Sequence, residues 1–509
     1  MYCRRPKPIK TPRLKLLSGR STRRPLWAAV KLVYLPEENT CSVNRRRFLS
    51  SVAAAGAATL LSACRHHGGF RAAGRAPCIL LRGSWQSVNI GDIGHTPGAI
   101  QMIRRWCPDA RIILWAGGVE RGAKELIERA FPDVQIIPPD TGPDGRLLYS
   151  GTMVDDAGRP TIPALAQAWE EADVMIHGSG SDFGARRHLT AFHRATGKPC
   201  GVFGTSVDPI SGFGEGRDPE GGTLGDLWRR MEALPPNHLN EETRWIIDRT
   251  SFFFARDTLS LDYLRRQGVR PPLLEFGPDT QFGMTLRDDA RGDAYREAHG
   301  LEEGKFLCVI PRLRYTPYYQ IFQRLRNATD HVRDALNERA IEDDHAKLRE
   351  VIIRYVRTTG HRVMTCPEMT YQIGLAKQML VDPLPEDVKR RVVWRDTFWL
   401  PDEAASIYRQ AQAVVSADCH SPIIAVANGT PGLYVRQPTD TCKGQMYPDV
   451  GLDDWIFEIE ETSGAQLWER LESILRHPTA ARAYARAAMD RVEQQQQRMV
   501  GALSSIRAA

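Results

Sequence analysis

Short apolar runs alternate with stretches in which apolar residues recur at helical spacing. Residues 78–81, 112–116, 134–137, 173–177, 199–204 and 252–255 are apolar runs of strand length, most of them ending in a glycine or a polar turn. Segments 99–105, 123–130 and 259–267 between them carry the 3.6-residue repeat of an amphipathic helix. This alternation predicts parallel β-α-β units, whose strands are buried on both faces and so lack a polar stripe. Residues 207–240, rich in Gly, Pro and acids, read as a long loop or lid, and 286–304 as a charged bridge. A second series follows: strands at 306–310, 362–365, 392–394, 414–415 and 432–435, helices at 330–357 and 372–380. The fold class expected is α/β, with two Rossmann-like domains at 78–290 and 300–462 facing across a cleft. An amphipathic tail of helices, 463–509, is placed to pack back on the first half.

The second series contains the stretch around which the rest is organised. Val414-Val415 leads into Ser416-Ala417-Asp418-Cys419-His420-Ser421, a small-residue apolar run follows, and Gly429-Thr430-Pro431 closes it. This reads as strand, site loop, helix and turn, with His420 where strand hands over to helix. In parallel sheets that edge lines the ligand crevice, and helix N-termini direct spare N–H groups into it. An imidazole there is a candidate acid or base.

Composition changes the picture at the N-terminus. The net charge is +7, yet residues 1–50 hold 13 Lys/Arg against Glu37 and Glu38, leaving the remainder at −4. A mildly acidic folded part argues against nucleic-acid binding. Asn44-Arg45-Arg46-Arg47-Phe48-Leu49 precedes an uncharged Ala-rich run ending Leu61-Ser62-Ala63-Cys64. The pattern resembles a twin-arginine export signal with a lipoprotein cleavage box, and the run is shorter than the roughly 20 residues that span a bilayer. The domain reading is therefore a basic extension and signal over 1–64 and a linker over 65–77. Cys64 is the expected lipidation site of an exported, membrane-anchored lipoprotein on the periplasmic or cell-surface side. The ten cysteines show no CxxC pair or metal-ligand spacing, so no metal site is expected.

Three Gly-rich loops follow strands: Gly91 to Gly94 after Asn89-Ile90 and including Asp92, Gly178-Ser179-Gly180, and Gly201 to Ser206. Such loops let backbone N–H groups approach an anion. Arg256, Arg312, Arg314 and Lys443 each lie beyond a strand or turn and are expected to face the same crevice, where guanidinium groups hold carboxylate or phosphate bidentately. Arg256 could instead be engaged in a structural ion pair.

The order of these motifs resembles the polysaccharide pyruvyl transferase family. Asn89-Ile90-Gly91-Asp92 is similar to its opening loop, and Asp173 to Gly180 to its Gly-rich strand-loop. Ala255-Arg256-Asp257 with Ser260, Tyr263-Leu264, Gly268-Val269 and Pro278-Asp279 is similar to its Arg-Asp helix and Pro-Asp strand end. His420 to Pro431, Lys443 and Gly451-Leu452 complete the series. The resemblance runs from about residue 80 to 460. It implies a GT-B-like fold and transfer of the enolpyruvyl group of phosphoenolpyruvate to two sugar hydroxyls, giving a pyruvate ketal on a surface polysaccharide without a cofactor. It implies His420 as general acid. It also implies Arg256, Arg312, Arg314 and Lys443 as donor-binding groups, with Asn89, Gly91, Asp92, Gly178 and Gly180 lining the site.

Two positions depart from the pattern: Asp418 stands where the family has arginine, and Ser179 interrupts its three glycines. Asp418 reverses the charge beside an anionic donor, which leaves two further readings. One is a catalytically silent exported glycan-binding lipoprotein on the same fold; the other is a nucleotide-sugar glycosyltransferase. In each case the partner is a glycan acceptor, with the membrane reached through Cys64.

Overall fold

The computed structural model describes residues 76–83, 86–137, 140–141, 147–148 and 153–506. The basic extension, the signal-like stretch and Cys64 lie outside the described residues. No helix among the described residues is long and apolar enough to cross a membrane.

Two parallel sheets form the frame. The first contains β1 (Cys78–Gly83), β2 (Arg111–Ala116), β3 (Gln135–Ile136), β6 (Val174–His177), β7 (Cys200–Thr205), β8 (Phe252–Ala255) and β9 (Leu274–Phe276). A small ribbon, β4 (Asp140–Thr141) with β5 (Leu147–Leu148), stands apart. The second sheet contains β10 (Phe306–Ile310), β11 (Arg362–Thr365), β12 (Val392–Trp394), β13 (Ala413–Ser416), β14 (Gly432–Arg436) and β15 (Ile456–Glu458). Strand orders are β3-β2-β1-β6-β7-β8-β9 and β12-β11-β10-β13-β14-β15, so the order reverses between β1 and β6 and between β10 and β13. Ligand crevices form at the carboxyl ends of strands at such reversals. The architecture is two Rossmann-like lobes of GT-B type with a helical C-terminal segment.

The apolar runs became strands because both sheet faces are covered. Every residue of β1, β7, β10 and β13 is buried. The last helix, Pro478–Gly501, holds the lobes together: Ala481, Ala485, Ala488 and Val492 enter the core of the second lobe, while Met499 and Val500 enter that of the first.

Three readings need correction, the first being Gly201 to Ser206, which is not a loop after a strand because Gly201 to Thr205 belong to β7 itself. Residues 207–240 are not loop throughout, because the helix Leu224–Glu232 sits within them. Its start is a capping box in which Thr223 and Asp226 satisfy each other's backbone N–H groups. Gly91 and Gly94 are not loop glycines either: the helix Ile90–Trp106 begins immediately after Asn89, whose side chain caps Gly91 N. Glycine recurs along this helix because other segments press against it. A Cβ on Gly91 would lie 2.3 Å from His420 Nδ1, one on Gly94 2.6 Å from Gln281 Nε2, and one on Gly98 2.1 Å from the Thr280 carbonyl oxygen.

Gly98→Ala should therefore lose about 1–3 kcal/mol, the usual cost of overpacking a close backbone contact. An unchanged urea midpoint would show that the Ile90 helix can move off Thr280 freely. A second prediction concerns Asp449, which accepts hydrogen bonds from Thr258 N at 2.7 Å and Thr258 Oγ1 at 2.6 Å across the lobes. Burial raises its pKa to about 6, against hydrogen bonds from Gln445 and Thr258 that lower it. The folded state thus holds this proton more tightly than the unfolded chain. Its contribution is full below the ordinary 3.8 and is lost as pH rises through about 6. Asp449→Asn should flatten the fall in stability between pH 4 and 6, by on the order of 3 kcal/mol; an identical pH profile in chemical denaturation would contradict this.

Candidate active site between the lobes

Strand ends at the two reversals supply the groups of one cavity of about 500 Å³. From the first lobe, Asn89, Asp92, Gly180 and Asp182 line it; from the second, Arg312, Asp418, His420, Asp440 and Lys443 do so, with Gln86, Tyr318 and Phe322 near them. Arg312 leaves the end of β10 and His420 the end of β13, the two strands flanking the reversal in the second sheet.

The turn that presents His420 is fixed locally. Ser416 Oγ donates to the Asp418 carbonyl at 2.7 Å and accepts from Asp418 N at 2.9 Å. His420 then opens the helix His420–Ala427. Its ring is 6% exposed; Nδ1 lies 3.0 Å from Glu368 Oε1, and Nε2 has no hydrogen-bond partner among the described residues. Glu368 is itself held by Ser421 N at 2.6 Å and Ser421 Oγ at 2.8 Å. Burial alone would lower the His420 pKa, but the Cys419 sulfur and the Glu368 carboxylate raise it well above the ordinary value. Glu368 thus favours the protonated imidazole and fixes its orientation, while burial and Asp418 raise the Glu368 pKa as well, and an imidazole so placed suits delivery of a proton to a bound group.

A second imidazole meets the first. The rings of His95 and His420 are 5.1 Å apart, edge to face, and His95 Nε2 lies 3.2 Å from Asp279 Oδ2. Beneath them Arg256 is fully buried, with Nη1 donating to Asp279 Oδ2 at 2.6 Å and Nε to Ser206 Oγ at 2.8 Å. Burial works to raise the Asp279 pKa, yet His95 and Arg256 hold it far below the carboxylate range. Candidate ligand atoms of His95, Asp279 and His420 all lie within 4.8 Å of one another. Arg256 already occupies the shared carboxylate, however, and a guanidinium at that position opposes a cation.

The cations divide. Arg312 pairs with Asp440 and lies 3.6 Å from Asp418 Oδ1; Lys443 Nζ lies 3.1 Å from Asp440 Oδ1. Asp440 also accepts from Tyr434 OH at 2.7 Å, and Asp418 from Gln372 Nε2 at 3.0 Å. Despite burial, Arg312 and Lys443 keep the Asp418 pKa well below the ordinary carboxylate range. Arg256 and Arg314 do not line the cavity, contrary to the expectation from sequence. Arg256 is the buried partner of Asp279, and Arg314 grips Asp344 bidentately at 2.9 and 3.0 Å and Glu460 at 2.6 Å. Gly91 packs beneath His420, and Gly178 sits in the sheet edge, its N donating to the Arg82 carbonyl at 2.8 Å; neither is a cavity residue.

Glu368 and Asp440 were not singled out in the sequence. Both follow strand ends, Glu368 after β11 and Asp440 after β14, and that placement was the available signal. His95 lay in plain view within the Gly-rich segment, and Asp279 within the Pro-Asp pair.

Solved structures share the architecture. UDP-GlcNAc 2-epimerase from Neisseria meningitidis, bound to UDP-GlcNAc, superposes with a TM-score of 0.50 at 10% identity, covering 84% of this chain and 99% of that one. The UDP-GlcNAc 2-epimerase from Methanocaldococcus jannaschii gives 0.48 at 12% identity, covering 79% and 92%. At 10% identity the likeness to the Neisseria meningitidis structure is one of fold alone. No curated protein sequence matches the chain. Residues 119–437, more than half of the sequence, match the family model for polysaccharide pyruvyl transferase, and the chain belongs to that family.

Proposed function

We propose that the cleft transfers the enolpyruvyl group of phosphoenolpyruvate onto two hydroxyls of a sugar in a polysaccharide. The observation that carries this reading is the Glu368–His420 dyad, which shares a cavity with Arg312 and Lys443. One sugar hydroxyl adds to the central carbon of the donor while the imidazolium gives its proton to the methylene carbon, which becomes a methyl group. The phosphate then departs with its bonding electrons, the second hydroxyl attacks the same carbon, and the ketal closes as the hydroxyl protons pass to the imidazole and to phosphate. Arg312 and Lys443 would meet the donor's carboxylate and phosphate, and fixed cations in a cleft closed to water are a large part of such catalysis. At the mouth, Tyr318 and Phe322 stack with centroids 5.8 Å apart and planes 4° from parallel, and Phe322 is 54% exposed. An aromatic surface of this kind suits the apolar face of a sugar ring.

A second reading has its own observation. Asp92, Asp182, Asp418 and Asp440 outnumber Arg312 and Lys443 around the cavity, and Asp440 occupies both cations. That balance favours hydroxyl-rich ligands over a multiply charged anion, and so a silent glycan-binding protein on the same fold.

The readings separate by measurement. Under the first, the protein releases phosphate from phosphoenolpyruvate in the presence of a suitable polysaccharide, and His420→Ala removes that turnover while leaving glycan binding. Asp440→Asn, which removes the carboxylate that both cations share and leaves Arg312 only Asp418, should tighten donor binding at least about tenfold, since one unit charge at close range is worth more than 1.4 kcal/mol at intermediate dielectric. Calorimetry that finds glycan bound but no donor in either form would decide for the second reading. In an active enzyme, Glu368→Gln should lower the His420 pKa and move the limb of the pH–rate profile that needs imidazolium about one unit or more toward acid. An unmoved limb would remove the imidazolium from the mechanism.

A further inference from the structure

A second cavity, of about 470 Å³, opens at the far end of the His420–Ala427 helix, where that helix meets the first half of the Pro478–Gly501 helix. Arg409, Arg482 and Arg486 converge on it, and Glu303 is the single acidic residue in its lining. None of the three arginines has a carboxylate within ion-pair distance among the described residues, whereas Arg498 on the same final helix pairs with Glu275. Arg409 Nε is buried and has no hydrogen-bond partner among those residues.

Neither helix capping nor helix stability accounts for the cluster. The carbonyls that close the His420 helix are already satisfied: Asn428 N donates to Ile424 and Ala425, Asn428 Nδ2 to Ile424, and Gly429 N to Val426. Arg482 and Arg486 are four apart on one helix face, an arrangement of like charges that costs a few tenths of a kcal/mol in an isolated helix. Guanidinium groups kept at that cost, lining one cavity with no ion pair among the described residues and only a longer-range attraction between Arg409 and Asp289, fit a planar or tetrahedral oxyanion held by paired N–H donors. We infer that this cavity binds a multiply charged anion, a phosphate ester or a carboxylated saccharide, independently of whatever reaction the cleft performs. Asn428 and Gln410 at its wall add amide groups that suit the uncharged part of such a ligand.

The test is calorimetric titration of the full chain with inorganic pyrophosphate and, separately, with an oligogalacturonate. Because the cleft also holds cations, Lys443→Ala is titrated in parallel. The expected result is a binding event that persists in Lys443→Ala and weakens at least tenfold in the double variant Arg482→Gln/Arg486→Gln, whose exposed side chains can change without unfolding the protein. Tighter binding of pyrophosphate would identify the phosphate source, tighter binding of the oligogalacturonate the acidic saccharide. The inference is overturned if neither probe binds the wild type, if the double variant binds as the wild type does, or if Lys443→Ala alone abolishes the event.

Discussion

The backbone of Val88 to Ile90 lies against that of Glu368 to Thr370, and the geometry of the candidate site depends on this contact. Ile90 N donates to the Glu368 carbonyl at 2.9 Å, Thr370 N to that of Val88 at 3.1 Å, and Asn89 forms an antiparallel bridge with Met369. The first lobe thus fixes the residue whose carboxylate orients His420, and the second lobe fixes the start of the helix that carries Gly91, Asp92 and His95. Backbone hydrogen bonds specify position more tightly than side-chain contacts, because both partners have few soft torsions. Opening the cleft at this point would part the Glu368–His420 pair, which belongs to the second lobe, from Asn89, Asp92 and His95 of the first. Domain closure in the usual sense is further restrained by the Pro478–Gly501 helix, which is packed into both cores.

Much of the fold was legible because parallel strands leave a strong trace: runs buried on both faces need no polar positions, and so β1, β2, β8, β10 and β13 stand out as apolar segments. His420 and Arg312 each lie just beyond a strand, which is why they could be assigned to one crevice before the strand order was known. Glycine misled, however. Gly91 and Gly94 read as loop residues, because glycine is the residue of turns, yet here it marks where His420 and Gln281 press on a helix. Local sequence cannot separate those causes, since the neighbour that demands the small residue is more than 180 positions away.

The same limit governs the arginines. Arg256, Arg312 and Arg314 all follow strands and look alike in sequence. What separates them is the acid each meets: Asp279 from the next strand end, Asp440 from the turn after β14, and Asp344 from the long helix Ala328–Thr359. Each is an ordinary polar residue in its own segment. Arg256 became structural because Asp279 and Ser206 engage two of its three nitrogens and the side chain is wholly buried. Glu368 was illegible for the converse reason, as an acid after a strand has no distinguishing mark until His420 is placed beside it.

Asp418 and Asp440 bear on function most directly. A buried guanidinium between two carboxylates is held rigidly in place, but its charge is already compensated, and taking further charge into such a site requires new compensation. An incoming dianion would meet Arg312 and Lys443 through Asp440, so that carboxylate must turn away or share the lysine with the ligand. Turning away is restrained by Tyr434 OH and by Gln437 N, which donates at 3.2 Å. Sharing is the least costly route, since Lys443 is the partner with a flexible stem and Arg312 can keep Asp418. On that argument Lys443 is the mobile cation of the cleft and Arg312 its fixed one, and under the proposed transfer reaction the strength of donor binding would be set by how far the lysine can leave Asp440.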